Sequence, residues 1–566
     1  MSADARLKVV LCWHMHQPQY CELVNGDCRL PWTYLHAIKD YVDMAAHLER
    51  VPGARAVVNF APTLLEQIAA YARQVRGFLS GGSVIHDPLL AALVADPMPA
   101  DQAAREALVR ACLRANESRM IERFAPFKRL VALARAALDS DGEFDYLSDQ
   151  FLADLLMWYH LAWLGESVRR SDLRVRRLMD KGRHYTHGER RELLTLIGEL
   201  LEGVVGRYRQ LAESGRIELS VTPWAHPILP LLLDFESARE AWPESSLPPT
   251  RYPGGEERSR WHIREGIATF ERHFGFRPSG CWPSEGGVSE AELRLLKDAG
   301  FAWVATGEAV LRNSLARLHH APHAKAAWLY QPYTVTDTGM SCFFRDDGLS
   351  DLIGFTYNKW HADDAVADLV VHLERIAECC RHHPGHVVTI ILDGENAWEH
   401  YPENGWHFLD ALYARLSQHP AIELTTFSDC LETVAAKRLR AFVAGSWVYG
   451  TFSTWIGDES KNRGWEMLIE AKYAFDEAAP RLSTDDRALA VRQLAVCEGS
   501  DWFWWFGDNN PMATVSDFDS LYRRHLTNLY RLLGLPPPEY LAHPFARGGG
   551  EPALGGVMRP GQPGLS

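Results

Sequence analysis

The chain has 566 residues, 47% of them hydrophobic and 23% charged, with a formal net charge of −14. That length exceeds one compact core and predicts two or three domains, while the acidic balance argues against a nucleic-acid partner. The opening residues MSADARLKVVLCWHMHQP lack the apolar core and cleavage site of a signal peptide, and no apolar run would span a bilayer. The expectation is a soluble, cytoplasmic protein without a membrane partner; the sequence leaves its oligomeric state open. Ten cysteines with no disulfide framework and no repeated zinc spacing predict reduced thiols.

In chain order, a strand at Lys8–Trp13 runs into His14 and His16, which at this spacing face the same way. A short strand at Ala56–Phe60 follows. From about residue 64 to 208 the periodicity is helical, with stretches such as Leu64–Val75 and Glu106–Leu138, and predicts a helical insertion. The strand Ile217–Thr222 carries Glu218 and leads into Trp224 and His226. Residues 235–260 read as a surface loop, and His262–Phe274 as a helix. SGCWPSEGG, residues 279–287, sets Trp282 and Glu285 before two glycines that let a ligand approach the backbone. Ser289 is a plausible N-cap for the helix that follows.

Val387–Leu392 is an unbroken apolar or β-branched run, suited to a strand covered on both faces. It ends in Asp393, Gly394, Glu395 and Asn396. Such a strand delivering two carboxylates to its C-terminal end is typical of barrel enzymes, although Asp393 or Asn396 capping the next helix is the plainer alternative. Ile422–Thr426 is one more strand. Beyond about residue 438 the composition changes, and Trp455, Asp458 and a Ser483-capped helix precede Trp502, Trp504 and Trp505. The residues after about 543 are rich in Gly and Pro and read as a flexible tail. Six or seven strands alternating with helices favour an incomplete or distorted α/β barrel, and no dinucleotide fingerprint or Walker sequence is present.

Two carboxylates at separate strand ends, Glu285 and Asp393, among aromatic shelves and histidines, meet the needs of glycosidic bond cleavage. Indole faces stack on sugar C–H faces while carboxylates bind hydroxyls. Two rivals stay open on the residues alone. One is a metal-dependent hydrolase of another polar substrate, if His14, His16, His226 and Asp393 converge; the other is a non-catalytic carbohydrate-binding protein.

CWHMHQPQY, RIELSVTPWAHPILP, GCWPSEGGVS, ILDGENAWE and TFSTWIGDESKNRGWEML resemble, in order, the five conserved regions of glycoside hydrolase family 57. The spellings are closest to its amylopullulanase and α-amylase branch, as is EGSDWFWWFGD. The resemblance implies an α/β incomplete (β/α)7 barrel over residues 1–435, including the insertion, a mainly helical domain over 436–543 closing the cleft, and a tail over 544–566. It implies a retaining enzyme cleaving α-1,4 bonds in α-glucans such as maltodextrin or glycogen, with α-1,6 cleavage open. By motif, Glu285 matches the nucleophile and Asp393 the general acid/base. His16 and His226 match substrate-contacting histidines, and Asp458 the fifth-region acid near the cleft. His14, Trp224, Trp282, Glu395, Trp455, Trp502, Trp504 and Trp505 are placed along the substrate. No cofactor and no catalytic metal are implied. The HQP spelling argues against glycogen branching, and 4-α-glucanotransferase is the chief rival activity.

Overall fold

The structure is a computed structural model that describes residues 6–140, 144–319, 324–381, 385–550 and 559. Its frame is a curled sheet of ten strands among the described residues. In chain order they are β1 (Leu7–Met15), β2 (Ala56–Phe60), β3 (Ile217–Val221), β4 (Gly280–Cys281), β5 (Trp303–Thr306), β6 (Tyr333–Val335), β7 (Met340–Phe344), β8 (Val387–Asp393), β9 (Ile422–Leu424) and β10 (Lys437–Leu439). The order across the sheet is β10-β6-β7-β5-β4-β3-β2-β1-β8, with β9 also paired to β1. All pairs are parallel except β6–β7. The end strands do not pair with each other, so the curl is an incomplete barrel.

Strand alternation explains the two cores. Val10, Cys12, Val57, Trp303, Ala305, Phe343 and Ile391 pack together inside the curl. Their neighbours in sequence, among them Val9, Leu11, Trp13, Val58 and Ile390, pack outward against the helices. A strand covered on both faces needs apolar residues at every position, which is why β1 and β8 read as continuous hydrophobic runs. Glu218, inside β3, is not an active-site group. Its carboxylate accepts from Trp303 Nε1 at 2.7 Å, Ser428 N at 2.9 Å and Ser428 Oγ at 2.6 Å, which satisfies a charge buried at the closed end of the curl.

Between β2 and β3 the described residues form helices and no strand, from Pro62–Leu79 to His187–Glu213. The expected Glu106–Leu138 helix is broken into Gln102–Cys112, a π turn at Glu117–Ile121 and Ala125–Asp139, with Asn116 capping the π turn and Pro126 starting the third piece. The expected loop over 235–260 is partly helical, because Gly255–Phe274 forms one helix. Ser289 and Ser483 both accept N-cap hydrogen bonds. After β10 the chain is largely helical, with Glu459–Ala478, Thr484–Cys497, Ser500–Trp505 and Met512–Leu532. The start of the expected tail is packed: Phe545 lies edge-on to Phe506, and its N–H reaches Asp519 Oδ1 at 3.0 Å. Residues 551–558 and 560–566 of that tail lie outside the described residues.

The cysteine expectation is corrected at one place. Cys21 and Cys28 form a disulfide across an isolated antiparallel bridge, in a turn with Gly26 in the left-handed region. The other cysteines are free thiols. No helix among the described residues is long and apolar enough to cross a membrane.

Candidate active site

Parallel strands in register bring their C-terminal ends to one edge. His14 on β1 sits opposite Asn59 on β2 and Asp393 on β8, and Asn59 sits opposite Ser220 on β3. The loops after β3 and β4 add His226 and Glu285. His226, with Ala225 before it, and Glu285 are non-glycine residues with φ of 58°, 57° and 59°. A left-handed backbone costs these residue types of order 1 kcal/mol or more each and persists only where the surroundings fix it. Here the C-terminal region supplies the fixing bonds: Ser500 N donates to His226 O at 2.9 Å, and Trp447 N to Glu285 O at 3.2 Å.

A cavity of about 420 Å³ opens over this edge, within the usual size of a small-ligand site. The strand ends contribute His14, His16, Gln17, His226, Glu285, Arg345, Asp393 and Glu395. Trp32, His36, Asn116 and Trp163 come from the flanking helices and the insertion, and Trp447, Asp501, Trp504, Trp505 and Phe518 from the C-terminal region. π turns at Ala37–Tyr41, Glu117–Ile121 and Leu352–Thr356 follow or contain lining residues, a common association of such turns with functional sites.

Glu285 accepts from Trp447 Nε1 at 3.2 Å and from Ser500 Oγ at 3.1 Å. Burial, then the nearby Asp501 and Asp393 charges, push its pKa up to about 8 against the pull of these two bonds. Asp393 accepts from Asn396 Nδ2 at 2.9 Å. Burial lifts it to about 6, opposed by Asn396, His16 and Arg345. Arg345 itself is held by Ile391 O, Asp347 and Asp351 at 2.7–2.8 Å. Glu395 takes a bond from Gln17 at 3.3 Å, and burial beside Asp393 raises its pKa well above the ordinary value.

The three histidines are linked. His14 Nδ1 meets Asn59 Oδ1 at 2.7 Å, and its Nε2 meets His226 Nε2 at 3.0 Å. His226 Nδ1 meets Ser500 Oγ at 2.8 Å. His16 stacks on His226 with ring centres 3.8 Å apart, and its Nε2 contacts Asp501 Oδ1 at 2.7 Å. Ser500 and Asp501 are themselves anchored by Glu498. Burial raises that carboxyl, but Arg258 and His262 outweigh it and hold the pKa at about 2, with contacts of 2.7 Å from each. Breaking such a buried pair from one side costs about 3–5 kcal/mol, so the helix Gly255–Phe274 and the C-terminal helices are tied together just before Ser500 and Asp501.

One ring nitrogen from each of His14, His16 and His226 comes within 4.8 Å of the others. A metal must lie in the plane of every imidazole that binds it, yet the His16 and His226 planes are stacked and inclined by only 13°. Their lone pairs do not converge, and the His14–His226 contact has the form of an N–H···N bond.

Of the residues expected on the substrate, the structure brings His14, His16, His226, Glu285, Asp393, Glu395, Trp504 and Trp505 to the cavity. It does not bring Trp224, Trp282, Trp455 or Trp502, all at most 1% exposed. Trp224 is sandwiched by Trp261 and Arg492, Trp282 supports Trp447, Trp455 backs Trp504, and Trp502 donates to Val496 O. Asp458 is a helix N-cap, accepting from Ser460 N at 2.9 Å and Lys461 N at 3.3 Å. The acid that the C-terminal region does present is Asp501, and with Ser500, Trp447 and Trp32 it is not among the candidates read from sequence, whereas Arg345 falls in a strand-end region whose polar character the sequence shows. Asp501 carries the same signal as those candidates, an acid beside tryptophans.

The profile of Glycosyl hydrolase family 57 matches residues 10–443. A segment of 82 residues is 30% identical to the 1,4-alpha-glucan branching enzyme TK1436 of Thermococcus kodakarensis, covering 14% of this chain and 9% of that protein. The crystal structure of TK1436 superposes with a TM-score of 0.57 at 15% identity, covering 93% of this chain and 90% of that one. The alpha-amylase AmyC of Thermotoga maritima gives 0.54 at 14%, over 94% and 93%. The 4-alpha-glucanotransferase of Thermococcus litoralis gives 0.51 at 12%, over 93% and 60%. At these identities the superpositions speak for the fold alone, whereas the profile spans most of the chain: the protein belongs to glycoside hydrolase family 57.

Proposed function

We propose that the protein is a retaining enzyme acting on α-1,4 bonds of α-glucans, with Glu285 as nucleophile and Asp393 as general acid/base. The observation that carries this is a pair of largely buried carboxylates from different strand ends lining one aromatic-walled cavity, each with its pKa raised. In the first step Asp393 protonates the departing glycosidic oxygen while Glu285 attacks the anomeric carbon, and a glycosyl ester forms. Asp393, now a carboxylate, then takes a proton from the incoming water or sugar hydroxyl, which releases the glucan with its configuration retained. Trp504 and Trp505 offer sugar-stacking faces, and Asp501 and Glu395 offer hydroxyl acceptors.

The two pKa values favour a proton on the opposite residue. Glu285 at about 8 holds a proton at neutral pH more firmly than Asp393 at about 6. This favours, as a second reading, exchanged roles with Asp393 as nucleophile. We prefer Glu285 because the family's nucleophile motif falls on it and because Ser500 and Trp447 aim two donors at its carboxylate.

Hydrolysis is the proposed outcome and 4-α-glucanotransfer the rival, with an intracellular glucan such as glycogen or maltodextrin as substrate. A product time course on maltoheptaose and pullulan, with Glu285→Gln as blank, tests this. Only shorter oligosaccharides from maltoheptaose support a hydrolase, and maltotriose from pullulan adds α-1,6 cleavage of the amylopullulanase kind. A ladder growing above heptaose makes it a transferase. No turnover of either glucan contradicts the proposal.

A further inference from the structure

We propose that Ser500 relays a proton between Glu285 and the His226–His14 pair, so that the nucleophile is ionised by internal transfer rather than by loss of a proton to solvent. The inference rests on Glu285 being the nucleophile. Its basis is an unbroken chain of contacts: Glu285 Oε1 to Ser500 Oγ at 3.1 Å, Ser500 Oγ to His226 Nδ1 at 2.8 Å, His226 Nε2 to His14 Nε2 at 3.0 Å, and His14 Nδ1 to Asn59 Oδ1 at 2.7 Å. His14, His226 and Ser500 are all buried, so these contacts are sheltered from exchange with bulk water.

Counting protons along the chain shows why it can switch. The Asn59 oxygen, which also contacts Thr222 Oγ1 at 2.8 Å while the amide nitrogen serves Ser220 Oγ at 3.0 Å, takes the Nδ1 proton of His14. His14 Nε2 is then bare and must accept from His226 Nε2–H. Two complete arrangements remain. In the first, Glu285 is a carboxylic acid donating to Ser500 Oγ, and Ser500 donates to His226 Nδ1. In the second, the Glu285 proton has passed to Ser500 Oγ and the Ser500 proton to His226 Nδ1. Glu285 is now a carboxylate accepting from Ser500, and Ser500 accepts from an imidazolium at His226. Both hold the same number of protons and leave no donor or acceptor in the chain unmatched. They differ only in charge separation, from a neutral pair to a carboxylate–imidazolium pair.

The surrounding charges set the balance between them. Asp501 and Asp393 face Glu285 and favour its neutral form, as burial does. Burial, then the facing His16 and His14, disfavour protonation of His226, so the first arrangement is the resting one. Arg345 lines the same cavity, and Arg559 lies over Trp504, its own pKa lowered by burial. Arg559 favours a carboxylate at Glu285, whereas Arg345 favours one at Asp393. The second arrangement is the reactive one. When Glu285 is esterified, the imidazolium compensates the Asp393 carboxylate left by the first step, and the proton returns to Glu285 once the ester is broken.

The test is the pH dependence of kcat/KM for α-maltotriosyl fluoride, whose leaving group needs no acid, so that the acid limb reports the ionisation of the nucleophile. Ser500→Ala removes both the donor to Glu285 and the path to His226. Its acid limb is expected to move upward by about one pH unit or more. Ser500→Thr, which keeps the hydroxyl, returns the limb towards its original place. His226→Asn keeps the Ser500–Glu285 bond but removes the proton acceptor, and shifts the limb in the same direction. It serves as the second variant should Ser500→Ala fail to fold. A uniform loss of rate at all pH values with an unmoved limb in these variants overturns the relay. Identifying the residue esterified by a slow fluorosugar separates the two failures. A label on Glu285 with an unmoved limb removes the relay alone, whereas a label elsewhere removes the nucleophile assignment on which it stands.

Discussion

Glu285 concentrates the costs of the site in one residue. It combines a left-handed backbone, a buried carboxyl and two neighbouring acids, and three contacts from the C-terminal region hold it there. Its ionisation is therefore linked to stability with a definite sign. The pKa is raised on folding from 4.5 to about 8, so the stability it contributes is full below pH 4.5 and falls as pH rises through about 8. Glu285→Gln removes that loss. Its stability should match the wild type at pH 4.5 and exceed it at pH 9 by on the order of a few kcal/mol, with a correspondingly higher melting temperature. Thermal melts at the two pH values check this, and equal melting curves at pH 9 would mean that the carboxyl is not held in a desolvated place. Residue type and neighbours single out Glu285 and Asp393 in sequence, each an acid beside glycine and close to a tryptophan, and the structure sets both on one cavity. Trp282 and Trp224 showed the same local pattern and proved to be supports behind the site, since no local pattern tells which side of a wall an indole occupies.

At the scale of elements, the strands on which the site stands were readable because both faces are covered and their apolar runs are unbroken. β1, β2, β3 and β8 fall within a residue or two of the ranges predicted. β6 and β10 were not foreseen: each has three residues at the rim of the sheet, too short for any period to register. Asp458 shows how an acid near a motif takes an element-level task. It starts the helix Glu459–Ala478 and satisfies two of its free N–H groups. Lys461, one turn on, donates to Phe503 O at 2.8 Å and to Phe506 O, and so steadies the turn that carries Trp504 and Trp505. Asp458→Ala should accordingly cost about 0.5–2 kcal/mol of stability and leave kcat/KM within about threefold, in the range of an indirect effect. Denaturant titration and oligosaccharide kinetics on one preparation decide the matter. A hundredfold loss of kcat/KM at unchanged stability would return Asp458 to the cleft.

The whole molecule divides its labour between a half-barrel that supplies acids and histidines and a C-terminal helical region that completes them. Neither half contains the site. Glu285 comes from the sheet, but its hydrogen-bond partners Trp447 and Ser500 come from after β10. Asp501 faces His16 across 485 positions of sequence. Such long-range pairs leave no trace in composition or periodicity, which is why the order of motifs disclosed the fold while the partners of Glu285 and His16 stayed hidden. Family membership narrows the chemistry to glycosyl transfer and leaves one assignment to be made directly. That measurement is trapping with 5-fluoro-α-maltosyl fluoride, whose slow turnover accumulates the glycosyl-enzyme, followed by peptic digestion and tandem mass spectrometry. A single fluoromaltosyl-sized mass increment is expected on the peptide containing Glu285, absent in Glu285→Gln. An increment on the Asp393 peptide, or none while the reagent is consumed, would contradict the assignment.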